Sequence, residues 1–266
     1  MTAAIVIPAR FASTRFPGKP LCLVKGRSML ERVWRIASSV RTACRVVIAT
    51  DDPRIVEHAD SFGAEAVITS PACANGTERV FDAVSRAGIT EQILLNLQGD
   101  ALLTPPWVLD IMIEEMIADE KADIVTPAVA MEGAVLEEFL AQKAATPASG
   151  TSVAFDLERN ALYFSKAVIP FARKGGARRV YRHIGLYGYR RGSLARYVAL
   201  PPSPLEEAEG LEQLRALENG MTVRVVLVDY RGRTHWSIDA PEDVGIAERI
   251  IEREGELLAE NPHGGA

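Results

Sequence analysis

Cysteine is scarce in this chain of 266 residues and a net positive charge is absent, and each of these two features excludes a class of protein. The three cysteines, Cys22, Cys44 and Cys73, are too scattered for a disulfide framework or a zinc ribbon, so we interpret them as reduced thiols of a cytoplasmic protein. The net charge of -5 argues against nucleic acid as a partner, because broad binding of nucleic acid needs a basic face.

Long apolar runs are also missing. No segment reaches the roughly 18 apolar residues that a membrane helix needs, so we expect no membrane partner. The first strand follows Met1 so closely that we expect no signal peptide. The remaining composition, 48% hydrophobic and 24% charged residues, is typical of a globular protein that can bury a substantial core.

Strand and helix patterns alternate along the first half of the chain. Apolar runs predict a strand that ends at Pro8 and further strands at 45–50, 66–69, 92–98 and 123–127. Helical spacing and capping residues predict helices at 28–39, 53–62, 77–87 and 106–119. Such alternation is typical of βαβ units, so we predict an α/β fold with a mostly parallel, Rossmann-like sheet.

The second half is less regular. Its patterns predict strands at 152–157, 182–189 and 223–228, and helices at 205–218 and 241–258. Segment 171–181 is rich in cations and glycine, and we interpret it as an exposed loop or arm. No low-complexity linker divides the chain, so we predict one domain.

A loop with three cations, Arg10, Arg15 and Lys19, follows the first strand. It has neither the G-x-x-x-x-G-K-[ST] spacing of a P-loop nor the G-x-G-x-x-G fingerprint of a dinucleotide site. Cations and free backbone N–H groups at the carboxyl end of a strand nevertheless suit a phosphate chain. A solvated loop whose cations serve only solubility has the same composition, and the residues alone leave both open.

Two aspartates, Asp100 and Asp239, follow segments that end near the predicted ligand-binding edge of the sheet. Two carboxylates with substrate phosphates and waters are the usual ligands of Mg²⁺. A lone aspartate after a strand is more often a helix N-cap, so the pair by itself decides nothing.

Nine short motifs run in order along the chain. They are Pro8–Pro20, Ala49–Asp52, Gly76–Arg79, Gln98–Asp100, Ala161–Ser165, Arg182–Tyr189, Pro202–Glu206, Leu211–Arg215 and Asp239–Asp243. Together they resemble the motifs of the 3-deoxy-manno-octulosonate (Kdo) cytidylyltransferases, also called CMP-Kdo synthetases. Any single motif is weak, but the ordered set is highly specific.

This resemblance implies one nucleotidyltransferase domain over residues 1–266, with a CTP-binding half (1–130) and an acceptor-binding and dimerisation half (131–266). It implies a homodimer, formed through an arm in the second half of the chain, that acts in the cytoplasm in lipopolysaccharide biosynthesis. It also implies a Mg²⁺-dependent transfer of CMP from CTP to the anomeric hydroxyl of Kdo or a close acidic sugar, with release of pyrophosphate.

The resemblance further assigns roles by position. The CTP-binding residues are Ala9, Arg10, Ser13, Lys19, Asn75, Gly76, Arg79 and Gln98. The catalytic residues are Arg10, Lys19, Asp100 and Asp239, and the two aspartates are also the Mg²⁺ ligands. The acceptor-binding residues are Lys166, His183, Tyr187, Glu212 and Gln213.

Several positions depart from the family pattern, mostly on the metal and acceptor side. Ala101-Leu102 replaces Glu-Pro, Lys166 replaces an arginine, Asn75 replaces a serine, and segment 146–153 lacks a lysine. Two alternatives therefore stay open. One is a cytidylyltransferase for another acid, such as a modified octulosonate, a nonulosonate or a small phosphonate. The other is a catalytically silent homologue that only binds nucleotide.

Overall fold

The computed structural model describes residues 1–12, 16–173 and 179–257, in which strands and helices alternate. The chain forms two compact units: unit 1 contains Met1–Ile113 and Tyr230–Ala266, and unit 2 contains Glu114–Asp229.

Strands and helices follow one another along the whole described chain. The first are β1 (Ala3–Pro8), β2 (Leu23–Val24), β3 (Arg27–Ser28), α1 (Met29–Ser38), β4 (Arg45–Thr50), α2 (Pro53–Asp60), β5 (Ala66–Ile68), α3 (Gly76–Arg86), β6 (Ile93–Asn96) and α4 (Pro106–Ala118). They continue with β7 (Ile124–Met131), α5 (Gly133–Ala145), β8 (Ser152–Phe155), β9 (Ala161–Ser165), β10 (Val180–His183), β11 (Tyr187–Arg190), α6 (Arg191–Val198), α7 (Pro204–Glu209), α8 (Gln213–Glu218), β12 (Val223–Leu227) and α9 (Glu242–Glu254).

Unit 1 is built on parallel strands in the order β5-β4-β1-β6. Their apolar residues are shielded from solvent, and Ile5, Ile7, Ile48 and Leu94 are all 0% exposed. The chain passes from β1 to β4 on one side, whereas β6 lies on the other side of β1. This reversal opens a crevice at the carboxyl ends of β1 and β6, where open α/β sheets bind ligands.

Helix starts in unit 1 follow the predicted capping residues. Ser28 Oγ accepts the backbone N–H of Glu31 at 3.1 Å at the start of α1. Asp52 accepts the backbone N–H of Arg54 at 3.0 Å, and Pro53 occupies the first turn of α2. Both predicted helix starts are confirmed, because they depend on local residues alone.

The last described helix, α9, is tied to the N-terminal part of unit 1 by charged groups. The backbone N–H of Lys25 donates to Glu248 at 2.8 Å, and Lys25 Nζ donates to Glu252 at 2.6 Å. The guanidinium of Arg32 is 6% exposed and pairs with Glu256 at 2.7 Å. These contacts hold α9 against the β2–β3 hairpin and α1, and so fix the segment that precedes α9.

Unit 2 has a mixed sheet around β7. β12 pairs with β7 in parallel, while β10 and β11 pair with it antiparallel. β8 continues the sheet beyond β10, and β9 pairs antiparallel with β8. A small apolar cluster of Met131, Phe139 and Val180 packs α5 against β7 and β10.

Two element predictions for unit 2 are wrong. The predicted strand 182–189 is two strands, because the chain turns at 184–186 and both β10 and β11 pair with β7. The predicted helix 205–218 is two helices, because Gly210 has a φ of 63° and ends α7 in the left-handed conformation. Helices α5 and α6 were not predicted. Of the arm 171–181, residues 174–178 lie outside the described part, and Val180 and Tyr181 belong to β10.

None of the described helices combines the length and the apolar character that crossing a lipid bilayer requires.

Gly99 allows the backbone after β6 to pass close to the backbone at the end of β1. A Cβ on Gly99 would lie 2.9 Å from the carbonyl oxygen of Pro8. We expect Gly99→Ala to lower the free energy of unfolding by about 1–3 kcal/mol, because the backbones after β1 and β6 have to separate. Urea unfolding followed by circular dichroism measures this loss. Gly192→Ala is the control, since nothing lies within 4 Å of its Cβ in helix α6, and equal stability of both variants would contradict the prediction.

Candidate active site

A cavity of about 340 Å³ lies in unit 1 at the carboxyl ends of β1 and β6. Its lining residues come from the loop after β1, the start of α3, the turn after β6 and the segment before α9. They are Pro8, Ala9, Arg10, Lys19, Pro20, Met29, Cys73, Ala74, Asn75, Gly76, Arg79, Gln98, Gly99, Asp100 and Asp239. Nine of the predicted site residues line this cavity: Ala9, Arg10, Lys19, Asn75, Gly76, Arg79, Gln98, Asp100 and Asp239. Ser13 lies outside the described residues.

Lys19 joins three of these segments. Its ammonium donates to Asp100 Oδ2 at 2.7 Å and to the carbonyl oxygen of Ile238 at 2.9 Å. The side chains of Lys19 and Asp100 are 17% and 26% exposed, so the pair is only partly screened by water. Arg10, by contrast, is exposed on the cavity wall and forms no ion pair with any described residue.

Asp239 is held by the start of α9. The Asp243 carboxylate accepts the backbone N–H groups of Asp239 and Ala240, both at 2.8 Å. This local arrangement explains why aspartates occur four residues apart in the motif Asp239–Asp243. It fixes the backbone of Asp239 at the mouth of the cavity.

The donor set of the cavity fits Mg²⁺ in one particular way. Among residues 1–12, 16–173 and 179–257, no cluster of three or more His, Cys, Asp or Glu side chains could bind a metal ion through protein ligands alone. Asp100 and Asp239 do line one cavity, together with the cations Arg10 and Lys19. Two carboxylates completed by phosphate oxygens and waters are what Mg²⁺ accepts.

The start of α3 forms a second wall. Asn75 Oδ1 accepts the backbone N–H of Glu78 at 2.9 Å, and the Glu78 carboxylate accepts the N–H of Ala74 at 2.8 Å. This reciprocal cap leaves the first turn of α3 facing the cavity. A Cβ at Gly76 would lie 3.2 Å from Oε1 of Gln98, so a larger residue there would push the Gln98 amide out of place.

The Gln98 and Arg79 side chains are both held by neighbours. Gln98 Nε2 donates to Asn96 Oδ1 at 3.1 Å, which fixes the plane of the Gln98 amide. The guanidinium of Arg79 donates to Asp51 at 2.9 Å and to Thr69 Oγ1 at 2.7 Å. Arg79 is 3% exposed, so it stiffens the cavity wall between the ends of β4 and β5.

Several cavity residues were not predicted as site residues. Cys73 stands just before the predicted Asn75 loop, and adjacency was the only signal that could have found it. Burial raises the pKa of its thiol, and the nearby Arg79 only partly offsets this, so the thiol is neutral at pH 7. Met29 carries no sequence signal for a site, since apolar residues beside a strand normally belong to the core. Pro20 lies within the motif Pro8–Pro20 but was given no role.

Three of the predicted acceptor residues lie together in unit 2. The rings of His183 and Tyr187 have centroids 5.7 Å apart, and His183 Nε2 lies 2.7 Å from Thr126 Oγ1. The buried Tyr187 hydroxyl donates to Gln213 Oε1 at 2.9 Å. Burial, followed by the charge of Glu212, raises the pKa of Tyr187 well above its ordinary value.

Gln213 has a spare donor. The side chain is 3% exposed, and its Nε2 finds no hydrogen-bond partner in the described part of the chain. Glu212 precedes it as the N-cap residue of α8.

Lys166 stands at the end of β9. Its Nζ donates to Thr151 Oγ1 at 3.3 Å, and the backbone carbonyl of Thr151 accepts the N–H of His183 at 2.8 Å. Thr151 therefore links the Lys166 side chain to the strand that carries His183.

Known proteins resemble this chain in sequence and in fold. The family model described as "Cytidylyltransferase" matches residues 4–223. The chain belongs to the cytidylyltransferase family. It is 54% identical over 260 residues to the 3-deoxy-manno-octulosonate cytidylyltransferase of Maricaulis maris, covering 97% of this chain and 100% of that relative. It is 39% identical over 246 residues to the enzyme of the same name from Chlamydia pneumoniae, covering 92% of each chain.

A solved structure also resembles this cytidylyltransferase. It is a CMP:2-keto-3-deoxy-manno-octonic acid synthetase complexed with CTP, with a TM-score of 0.86 and 33% identity, covering 96% of this chain and 100% of that one. The resemblance inferred from the motifs is thereby confirmed, as are the α/β fold and the class of enzyme, a nucleotidyltransferase.

Glu209 ties down the backbone that carries Lys166. Its carboxylate accepts the N–H of Lys166 and the hydroxyl of Ser165, both at 2.7 Å, and the hydroxyl of Tyr163 at 3.4 Å. Burial raises the pKa of Glu209, but these hydrogen bonds and the charge of Lys166 outweigh it and hold the pKa below its ordinary value.

We expect Glu209→Gln to lower the free energy of unfolding at pH 7 by about 1–3 kcal/mol, because a charged acceptor is lost. A depressed folded-state pKa stabilises the protein above the unfolded-state pKa, and this stabilisation is lost as the pH falls through the folded-state value. The difference between wild type and variant should therefore shrink as the pH falls below about 4.3, the ordinary pKa of a glutamate.

Urea unfolding at several pH values measures this difference. The exposed Glu138 gives the matched control Glu138→Gln, which should match wild type throughout. A Glu209→Gln difference that stays constant down to pH 3 would show that the carboxylate charge is not what stabilises this region.

Proposed function

We propose that this cytidylyltransferase transfers CMP from CTP to the anomeric hydroxyl of Kdo, or of a closely related acidic sugar, and releases pyrophosphate. The observation that carries the proposal is the cavity of unit 1, which Arg10, Lys19, Asp100 and Asp239 line together. Two cations suit a triphosphate, and two carboxylates suit the cation that accompanies it. The names of the relatives support Kdo as the acceptor.

The phosphate side of the reaction needs charge stabilisation and no covalent protein intermediate. The acceptor oxygen forms a bond to the α-phosphorus, while the bond from that phosphorus to the bridging oxygen of the β-phosphate breaks. The leaving pyrophosphate takes up negative charge. In the proposal, Arg10 and Lys19 bind the phosphate chain and offset that charge, and Ser13 supports their loop.

The nucleoside side uses the second wall of the cavity. Ala9, Asn75, Gly76, Arg79 and Gln98 would face cytosine and ribose. The Gln98 amide is already fixed by Asn96, so it loses little freedom when it binds a base. Because Arg79 is committed to Asp51 and Thr69, its contribution would be to shape this wall.

Asp100 and Asp239 would hold Mg²⁺. When bound, the ion would offset charge on the α-phosphate and orient the acceptor oxygen. Lys19 would contribute by holding Asp100 and the Ile238 carbonyl together, so that both carboxylates stay at the cavity.

The acceptor would be bound by the residues of unit 2 that the resemblance assigns: Lys166, His183, Tyr187, Glu212 and Gln213. The Lys166 ammonium is a suitable counterion for a sugar carboxylate. The spare Nε2 donor of Gln213 is a suitable partner for a hydroxyl, because a buried donor without a partner is costly. We further propose a single domain over residues 1–266 that acts in the cytoplasm as a homodimer.

The test is pyrophosphate release with CTP and Mg²⁺ across a panel of acids: Kdo, its 8-amino analogue, nonulosonic acids and small phosphonates. We expect efficient release with Kdo. Release with only another acid would keep the reaction and change the acceptor. CTP binding without release for any of these acids would contradict the proposal and favour a catalytically silent homologue.

The carboxylate of Asp100 gives a second test. We expect Asp100→Asn to lower kcat by about 100-fold or more, because a metal ligand is lost while the side-chain shape is kept. Binding of Mn²⁺ in the presence of CTP, followed by electron paramagnetic resonance, should weaken in parallel. Asp60→Asn, on the exposed face of α2, is the control and should change neither quantity. Unchanged turnover in Asp100→Asn would remove Asp100 from the metal site.

A further inference from the structure

An exposed arginine of α2 lies on an aromatic ring of the loop that follows β1. The Cζ atom of Arg54 is 3.4 Å from the centroid of the Phe11 ring. A guanidinium over an aromatic face is attracted by the negative charge density of that face. This contact connects the first turn of α2 to the loop that carries the cavity cations.

The guanidinium of Arg54 also forms hydrogen bonds along one edge. Its Nε and Nη2 atoms donate to the two oxygens of Asp52 at 2.9 and 2.6 Å. Asp52 is also the N-cap of α2, and its own N–H donates to Thr50 Oγ1 at 3.2 Å. This bidentate pair of hydrogen bonds fixes the plane of the guanidinium, so Arg54 presents a fixed face to the Phe11 ring.

Phe11 in turn contacts the far end of the same loop. The carbonyl oxygen of Phe11 accepts the N–H of Gly18 at 3.0 Å. A Cβ on Gly18 would lie 3.3 Å from the Phe11 ring, and the φ of Gly18 is +70°. Only glycine fits this position without strain.

Phe11 and Gly18 are each adjacent in sequence to one of the two cavity cations. Phe11 directly follows Arg10, and Gly18 directly precedes Lys19. The contacts of Arg54, Phe11 and Gly18, which we call the loop clamp, therefore join the backbone next to one cavity cation to the backbone next to the other. Arg10 itself is exposed and has no ion-pair partner among the described residues, so its placement depends on its backbone.

We propose that Arg54 is a positioning residue for CTP, because through Phe11 it holds Arg10 and Lys19 at the spacing that the phosphate chain needs. This rests on the proposed function, since it takes the phosphate chain of CTP as the ligand of the two cations. Arg54 itself touches neither nucleotide nor acceptor in this assignment.

The proposal predicts that loss of the Arg54 guanidinium affects CTP affinity and not the stability of the fold. The Arg54 side chain is 58% exposed, and surface ion pairs of this kind contribute little to global stability. Removal of its guanidinium should therefore leave the thermal unfolding midpoint nearly unchanged and weaken CTP binding. A purely structural role would do the reverse.

The experiment is isothermal titration of CTP into the full chain, with thermal unfolding of each variant alongside. We expect Arg54→Met and Phe11→Leu each to raise the CTP dissociation constant about fivefold to tenfold. Phe11→Tyr keeps the ring and should bind like wild type. The matched controls are Arg86→Met, which removes a similarly exposed ion pair on α3, and Phe81→Leu, which removes a partly exposed ring. Neither control should change CTP binding.

The double variant Arg54→Met/Phe11→Leu decides whether the two residues act as one unit. The proposal expects it to bind CTP about as weakly as Phe11→Leu alone, because either change opens the clamp. Multiplied effects, or a dissociation constant for Arg54→Met within twofold of wild type, would overturn it. Wild-type protein that binds no CTP would overturn the proposed function together with this inference, whereas wild-type binding with an unaffected Arg54→Met variant would overturn only the inference.

Discussion

The ammonium of Lys19 is the group on which the cavity of unit 1 depends. It reaches the Asp100 carboxylate after β6 and the Ile238 carbonyl before α9, so one side chain joins three segments. A charge that is only 17% exposed is costly without such partners. The parallel sheet supplies the convergence, because β1 and β6 are neighbours and both end at the same edge. The close approach of Gly99 to Pro8 lets the two strand ends meet there.

Two kinds of feature could be predicted from the sequence. One depends on residues close together in the chain, and the other depends on the fact that neighbouring parallel strands end at the same edge of a sheet. Ser28 and Asp52 start their helices as expected, because a cap involves residues two or three positions apart. Asp100 could be predicted to reach the cavity because it follows a strand of the parallel sheet, whereas Asp239 follows no strand and lines the cavity from the irregular segment before α9. The turn at 184–186 could not be predicted, since the alternation of residues 182–189 also fits one strand, and only the pairing of both parts with β7 distinguishes them.

In unit 2, the supporting groups of the predicted residues were beyond sequence reasoning. Lys143 is 7% exposed, and its ammonium donates to the carbonyls of Pro147, Gly150 and Lys166. Burial, and then the charges of Lys166 and Arg182, lower the pKa of Lys143. Glu209 accepts the N–H of Lys166 and Lys143 donates to its carbonyl, so two opposite charges hold the backbone before and after this residue. Their shared contact with the Lys166 backbone could not be predicted, because Lys143 and Glu209 lie 23 and 43 residues from Lys166 in the sequence.

The attachment of α9 bears on how the protein assembles during synthesis. Lys25 and Arg32 have partners in and just after α9 that are 223 to 227 residues later in the chain. A ribosome adds residues from the N-terminus onward, so the β2–β3 hairpin and α1 emerge long before those partners exist. Pairings over such distances are made late and close the largest loops in the chain. The cavity of unit 1 is thus completed only after α9 has been translated, and a nascent chain stopped before α9 would carry all the described strands of unit 1 and an unfinished site.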